Sequence, residues 1–77
     1  MFDVEKFRAL MHEMSEHYGV SGIRVVKRRK GYITAKITNP ASLDTCQSLL
    51  NRVCNLSGCF NELKRCKADS VTFSISY

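Results

Sequence analysis

The sequence contains no apolar run near the roughly 20 residues needed to span a bilayer, no glycine-rich phosphate loop and no Cys-x-x-Cys pair, and it has only two histidines. The first absence argues against a transmembrane helix and therefore against a membrane partner. The second removes the usual backbone cradle for nucleotide phosphates. His12 and His17 are five positions apart, about 140° around a helix, so they cannot share a ligand. Each lies four positions from a glutamate, His12 from Glu16 and His17 from Glu13, which reads as pairing on a solvated helix face. No catalytic constellation emerges, and no enzymatic activity is expected. The N-terminal Met-Phe-Asp-Val-Glu-Lys has no cationic segment followed by an apolar one, so no secretory signal is expected and the chain reads as cytoplasmic. No linkers, low-complexity segments or internal repeats are expected.

Acidic residues are missing from one long window. None occurs between Glu16 and Asp44, whereas Arg24, Lys27, Arg28, Arg29, Lys30 and Lys36 all fall inside it. The rest of the chain has six cations (Lys6, Arg8, Arg52, Lys64, Arg65, Lys67) against seven anions (Asp3, Glu5, Glu13, Glu16, Asp44, Glu62, Asp69). The net charge of +5 therefore originates in that one window.

What is present fits one small α+β domain of 77 residues, a size at which stability is marginal unless packing is good or copies associate. Val4, Phe7, Met11, Met14 and Tyr18 recur at spacings of three and four, the apolar stripe of an amphipathic helix. Asp3 is placed to cap it, Phe2 and Phe7 to staple its first turn, and Gly19 to end it. A β-hairpin follows. Ile23 and Val25 alternate with Arg24 and Val26, and Ile33, Ala35 and Ile37 alternate with Tyr32, Thr34, Lys36 and Thr38. For both apolar sets to share a face, an odd number of residues must separate the strands. A three-residue loop, Arg29-Lys30-Gly31, meets that parity. It pairs Ile23 with Ile37, Val25 with Ala35, Arg24 with Lys36 and Arg28 with Tyr32. Asn39-Pro40 is read as the cap and first position of a second helix. Its buried stripe would be Leu43, Cys46, Leu50 and Val53, flanked by Leu49 and Cys54, and it would stop near Asn55 at the turn cluster Asn55-Leu56-Ser57-Gly58. Phe60 and Leu63 suggest a short helix over 59–67, with a strand as the alternative. Ala68-Asp69-Ser70 reads as a turn. Val71, Phe73, Ile75 and Tyr77 then alternate with Thr72, Ser74 and Ser76 as a half-buried strand. The expected fold is a two-layer sandwich, two or three helices on one face of a three-stranded antiparallel sheet in the order α-β-β-α-β.

Cys46, Cys54, Cys59 and Cys66 are stepped by eight, five and seven positions, unlike the close pairs of a zinc knuckle. Free thiols are the expectation, with no metal and no cofactor.

The cationic hairpin is the functional candidate. Arg28 and Arg29 offer planar donor forks for phosphate, and Lys27 and Lys30 act as point charges. Arg24 and Lys36 would extend the patch along the sheet, and Tyr32 could stack on a base. The reading is a non-enzymatic nucleic-acid-binding domain, DNA or RNA. The alternative is an adaptor or inhibitor that meets an acidic protein, or a second copy of itself in a homodimer, through an open sheet edge.

Overall fold

The computed structural model describes residues 2–38, 40 and 42–77, and of Lys27 and Arg28 the backbone alone. In chain order the elements are α1 (Val4–Tyr18), β1 (Ile23–Arg29), β2 (Tyr32–Thr38), α2 (Leu43–Ser57), β3 (Phe60–Cys66) and β4 (Ser70–Ser76). Helix α1 begins where the Asp3 carboxylate accepts from the N–H groups of Glu5 at 3.0 Å and Lys6 at 3.2 Å, satisfying donors that the first turn leaves without partners. The Phe2 and Phe7 rings sit 5.5 Å apart, the expected staple. Gly19 ends the helix in the left-handed region.

Helix α2 starts later than the sequence suggests. Ser42 is its cap, its Oγ accepting from the Thr45 N–H at 3.1 Å. Asn39, read as the cap, lies outside the described residues. The helix runs to Ser57 rather than Asn55 and closes on Gly58. Leu43 is not part of the buried stripe, being 40% exposed, while Leu49 and Cys54 are fully buried beside Cys46, Leu50 and Val53.

The sheet has four strands, not three, in the order β1-β2-β4-β3, antiparallel throughout. The element order is thus α-β-β-α-β-β, with two helices and no third among the described residues. Residues 59–67 do not form a helix: Phe60–Cys66 is an edge strand paired with β4. Glu, Leu, Lys and Arg are good helix formers, so local propensity points the wrong way there. The strand wins because β4 has an open ladder on that side, and pairing satisfies the backbone groups of both segments. Both helices cover one sheet face. Phe7 and Met11 from α1, Leu49, Leu50 and Val53 from α2, and Ile33, Ile37, Val71, Phe73 and Ile75 from the sheet are essentially inaccessible. Among the described residues no helix is long and apolar enough to cross a membrane.

The structure repeats an αββ unit where the sequence gives no sign of an internal repeat. Both helices are 15 residues long, capped by Asp3 and Ser42 and closed by left-handed Gly19 and Gly58. Phe7 and Met11 occupy the positions that Cys46 and Leu50 occupy in the second half. Each helix leads into a hairpin, and the two hairpins meet through β2 and β4 with Ala35 opposite Phe73 at the centre. Each edge strand has a bulge at the equivalent place, after Val25 in β1 and after Leu63 in β3. The fold is two αββ units joined through the antiparallel pair β2 and β4.

The first bulge corrects the expected hairpin. Ile23–Ile37, Arg24–Lys36 and Val25–Ala35 pair as expected, but Val26 is extra, and beyond it Arg28 pairs with Ile33 and Arg29 with Tyr32. The parity requirement is met by a two-residue turn, Lys30-Gly31, plus the bulge, rather than by a three-residue loop.

Candidate nucleic-acid interface

The hairpin tip is held by its main chain, which leaves the side chains of Arg29 and Lys30 free. Gly31 takes φ 86° in the turn. Its carbonyl accepts from the Tyr77 N–H at 3.0 Å, and the Tyr77 hydroxyl donates to the Arg29 carbonyl at 3.2 Å. The Tyr77 ring stacks on Phe2 with centroids 4.3 Å apart. The chain ahead of α1, the end of β4 and the tip are thereby pinned together. Arg29 and Lys30 are exposed, and neither has a carboxylate partner among the described residues. Lys27 and Arg28 follow the same strand, but their side chains lie outside the described residues.

Below the tip, the sheet face opposite the helices presents side chains in cross-strand rows. One row runs Arg29, Tyr32, Ser76, Phe60. Another runs Arg24, Lys36, Thr72, Arg65. Between them lie Thr34, Ser74 and Glu62. The second bulge sets Lys64 beside Arg65, both facing the sheet's outer surface, where a groove of about 500 Å³ is lined by Val26, Thr34, Lys36, Lys64, Arg65 and Thr72. Glu62 is the acidic member of this face, and it pairs with Lys64 at 3.3 Å in an exposed contact, worth little in water.

Arg24, Arg29, Lys30, Tyr32 and Lys36 therefore fall on or beside one continuous surface. Sequence reading missed Phe60, Lys64 and Arg65, because a helix over 59–67 would scatter them. The available signal was the clean alternation of β4 just after a turn, which calls for an antiparallel partner immediately upstream. Strand β3 is fixed to α2 by an amide triangle: Gln47 Nε2 donates to Asn61 Oδ1 at 2.7 Å and Asn51 Oδ1 at 3.1 Å, and Asn61 Nδ2 donates to Asn51 Oδ1 at 2.8 Å.

His12 and His17 are exposed on α1, in the other layer. Among the described residues no group of three or more His, Cys, Asp or Glu side chains could hold a metal. All four thiols are free, with Cys46, Cys54 and Cys59 buried and Cys66 exposed. Burial pushes the Cys54 thiol up to about 12 and raises Cys46 and Cys59 as well. Since thiolate is the nucleophile, a thiol reagent at pH 8 is expected to modify one equivalent rapidly, at Cys66, and three more only after denaturation. Rapid reaction of a second thiol in the native protein would contradict the packing. The raised thiols also tie stability to alkaline pH. The native protein holds protons on Cys54 that the unfolded chain releases above about 9, so this stabilisation is complete below pH 9 and lost as pH climbs towards 12.

Compared with models of known protein families and with curated proteins, the chain matches none.

Proposed function

We propose that this chain is a non-enzymatic nucleic-acid-binding domain that engages phosphate backbone through the β1–β2 hairpin. The observation that carries the reading is the charge distribution. Six cations and no acid lie between Glu16 and Asp44, and the remaining chain is close to neutral. A charge field this concentrated attracts a polyanion and steers its approach. Arg29 and Lys30 stand exposed on a tip whose backbone is already fixed by Tyr77, so the main chain adds little to the ordering cost when a phosphate arrives. Tyr32 faces the same side, and Arg24 and Lys36 continue the patch down the sheet.

The second reading, an adaptor, inhibitor or homodimer formed by adding a strand to an edge, has less support. Both edge strands carry a bulge, and both present charged side chains. These are devices that discourage edge-to-edge pairing. A gel-shift series against single- and double-stranded DNA and RNA, at 50 and 200 mM salt, tests the proposal. Retention at the lower salt that falls steeply at the higher is expected. No retention of any oligonucleotide, with a protein partner recovered in a pull-down instead, would favour the second reading.

A further inference from the structure

Resting on the nucleic-acid reading, we infer that the ligand is single-stranded and lies across the outer sheet face, with unstacked bases on Tyr32 and Phe60 and phosphates on the row of Arg24, Lys36 and Arg65. The two rings are the reason to choose a single strand. Phe60 is 76% exposed and Tyr32 41%, and both belong to one cross-strand row with only Ser76 between them. At about 4.8 Å per strand gap their Cα atoms are about 10 Å apart. The Phe60 ring is not what holds β3 to the body, since its neighbour Asn61 makes the contacts to α2. A bare ring beside a small serine is a surface on which a base can lie flat. In a duplex the base faces are already stacked on one another, and only their edges are open in the grooves.

The cations complete the site from the other end. Lys36 lies four residues beyond Tyr32 on β2, about 13 Å along the strand. Across the sheet from it Arg24 and Arg65 lie in the same row, and Lys64 adjoins Arg65 at the bulge. Thr34 and Ser74 floor the space between the rings and the charges, leaving room for sugars, and Glu62 in the same row holds its carboxylate against Lys64 at 3.3 Å. A strand running from one row to the other would place bases and backbone on chemically matched groups. An acidic peptide could use the cations, but it would use the rings only through apolar side chains of its own, whereas every nucleotide carries both a phosphate and a flat base.

The test is fluorescence anisotropy with end-labelled single strands of roughly 12 nucleotides, a typical site size, as DNA and RNA, alongside the same sequences as duplexes. Single strands are expected to bind at least tenfold more tightly than duplexes. Phe60→Ala and Tyr32→Ala should each weaken single-strand binding by about fivefold to a hundredfold while leaving the salt slope unchanged, and Tyr32→Phe should match the parent. Lys64→Glu with Arg65→Glu should weaken binding and reduce the slope by about two. Circular dichroism melts confirm that each variant is folded. Duplex binding equal to single-strand binding overturns the inference. So does parental affinity in both alanine variants, and if reversal of the tip cations still abolishes binding, the hairpin reading survives alone. Equal competition by poly-glutamate also overturns it. Failure of every oligonucleotide to bind overturns both readings together.

Discussion

Gly22→Ala is expected to destabilise the protein by about 3 kcal/mol, which for a domain of this size lowers the melting temperature by roughly 12–24 °C. Two costs combine. Gly22 has φ 71°, and a left-handed residue with a side chain costs about 1–2 kcal/mol. A Cβ there would also press on Thr38, meeting its hydroxyl and lying 2.7 Å from its carbonyl oxygen. Thr38 cannot retreat freely, because its N–H and its Oγ1 both donate to the Gly22 carbonyl, at 3.1 and 3.2 Å. Moving it would unpair the junction where β1 begins and β2 ends. Gly58→Ala and Gly31→Ala supply the comparison. Their φ values are 71° and 86°, yet an added methyl at either position would meet nothing within 4 Å, so only the conformational cost of about 1–2 kcal/mol applies. Denaturant midpoints for the three variants read the difference directly. Equal losses at Gly22 and Gly58 would mean that the close approach at Thr38 is absent in solution.

What the sequence disclosed and what it concealed divide along physical lines. Helix α1 is legible because cap, staple, apolar stripe and terminal glycine all agree. Strand β4 is legible because Val71, Phe73 and Ile75 alternate without exception. The inner pairing of the first hairpin follows from parity, but parity constrains only a total. It does not tell a three-residue loop from a two-residue turn with a bulge at Val26, and so it sets Arg28 across from Tyr32 when Arg29 holds that position. Strand β3 is concealed for another reason. Its apolar residues Phe60 and Leu63 point to opposite faces, so neither period is clean, and its identity as a strand is decided by β4 rather than by itself. Losing β3 hides Lys64 and Arg65, and with them half of the candidate surface.

The recurring αββ unit bears on the make-up of that surface. Two αββ halves that share one core must present apolar groups at matching positions, as Met11 and Leu50 do. The outer face carries no such requirement. Where the first half has Arg24, Tyr32 and Lys36, the second has Glu62, Ser70 and Ser74 at equivalent places in the ladders. The bulges recur in both halves and set neighbouring residues against the same groove, where the second contributes Lys64 and Arg65. A scaffold of two like halves thus supports an unlike face, with both rings in the row that ends at Arg29 and further cations in the row of Arg24, Lys36 and Arg65.

Reversing Arg29 and Lys30 to glutamate is expected to weaken oligonucleotide binding on the order of a hundredfold at physiological salt, through two lost phosphate contacts and two new repulsions. The slope of log affinity against log salt should fall by about two. The fold should be indifferent. Both side chains are exposed, and the tip is held by main-chain carbonyls of Arg29 and Gly31 that the substitutions leave in place. Each reversal removes two units of charge, so the net charge drops from +5 to +1, and bulk charge alone could weaken binding. A second double variant, Lys6→Glu with Arg52→Glu, reaches the same +1 from exposed positions on the two helices, away from the outer sheet face. If location matters, this control should stay within about threefold of the parent while the tip variant does not, because charges separated by more than a Debye length of about 8 Å are largely screened. Equal losses in the two variants would reduce the hairpin to one part of a diffuse charge and remove it as a site.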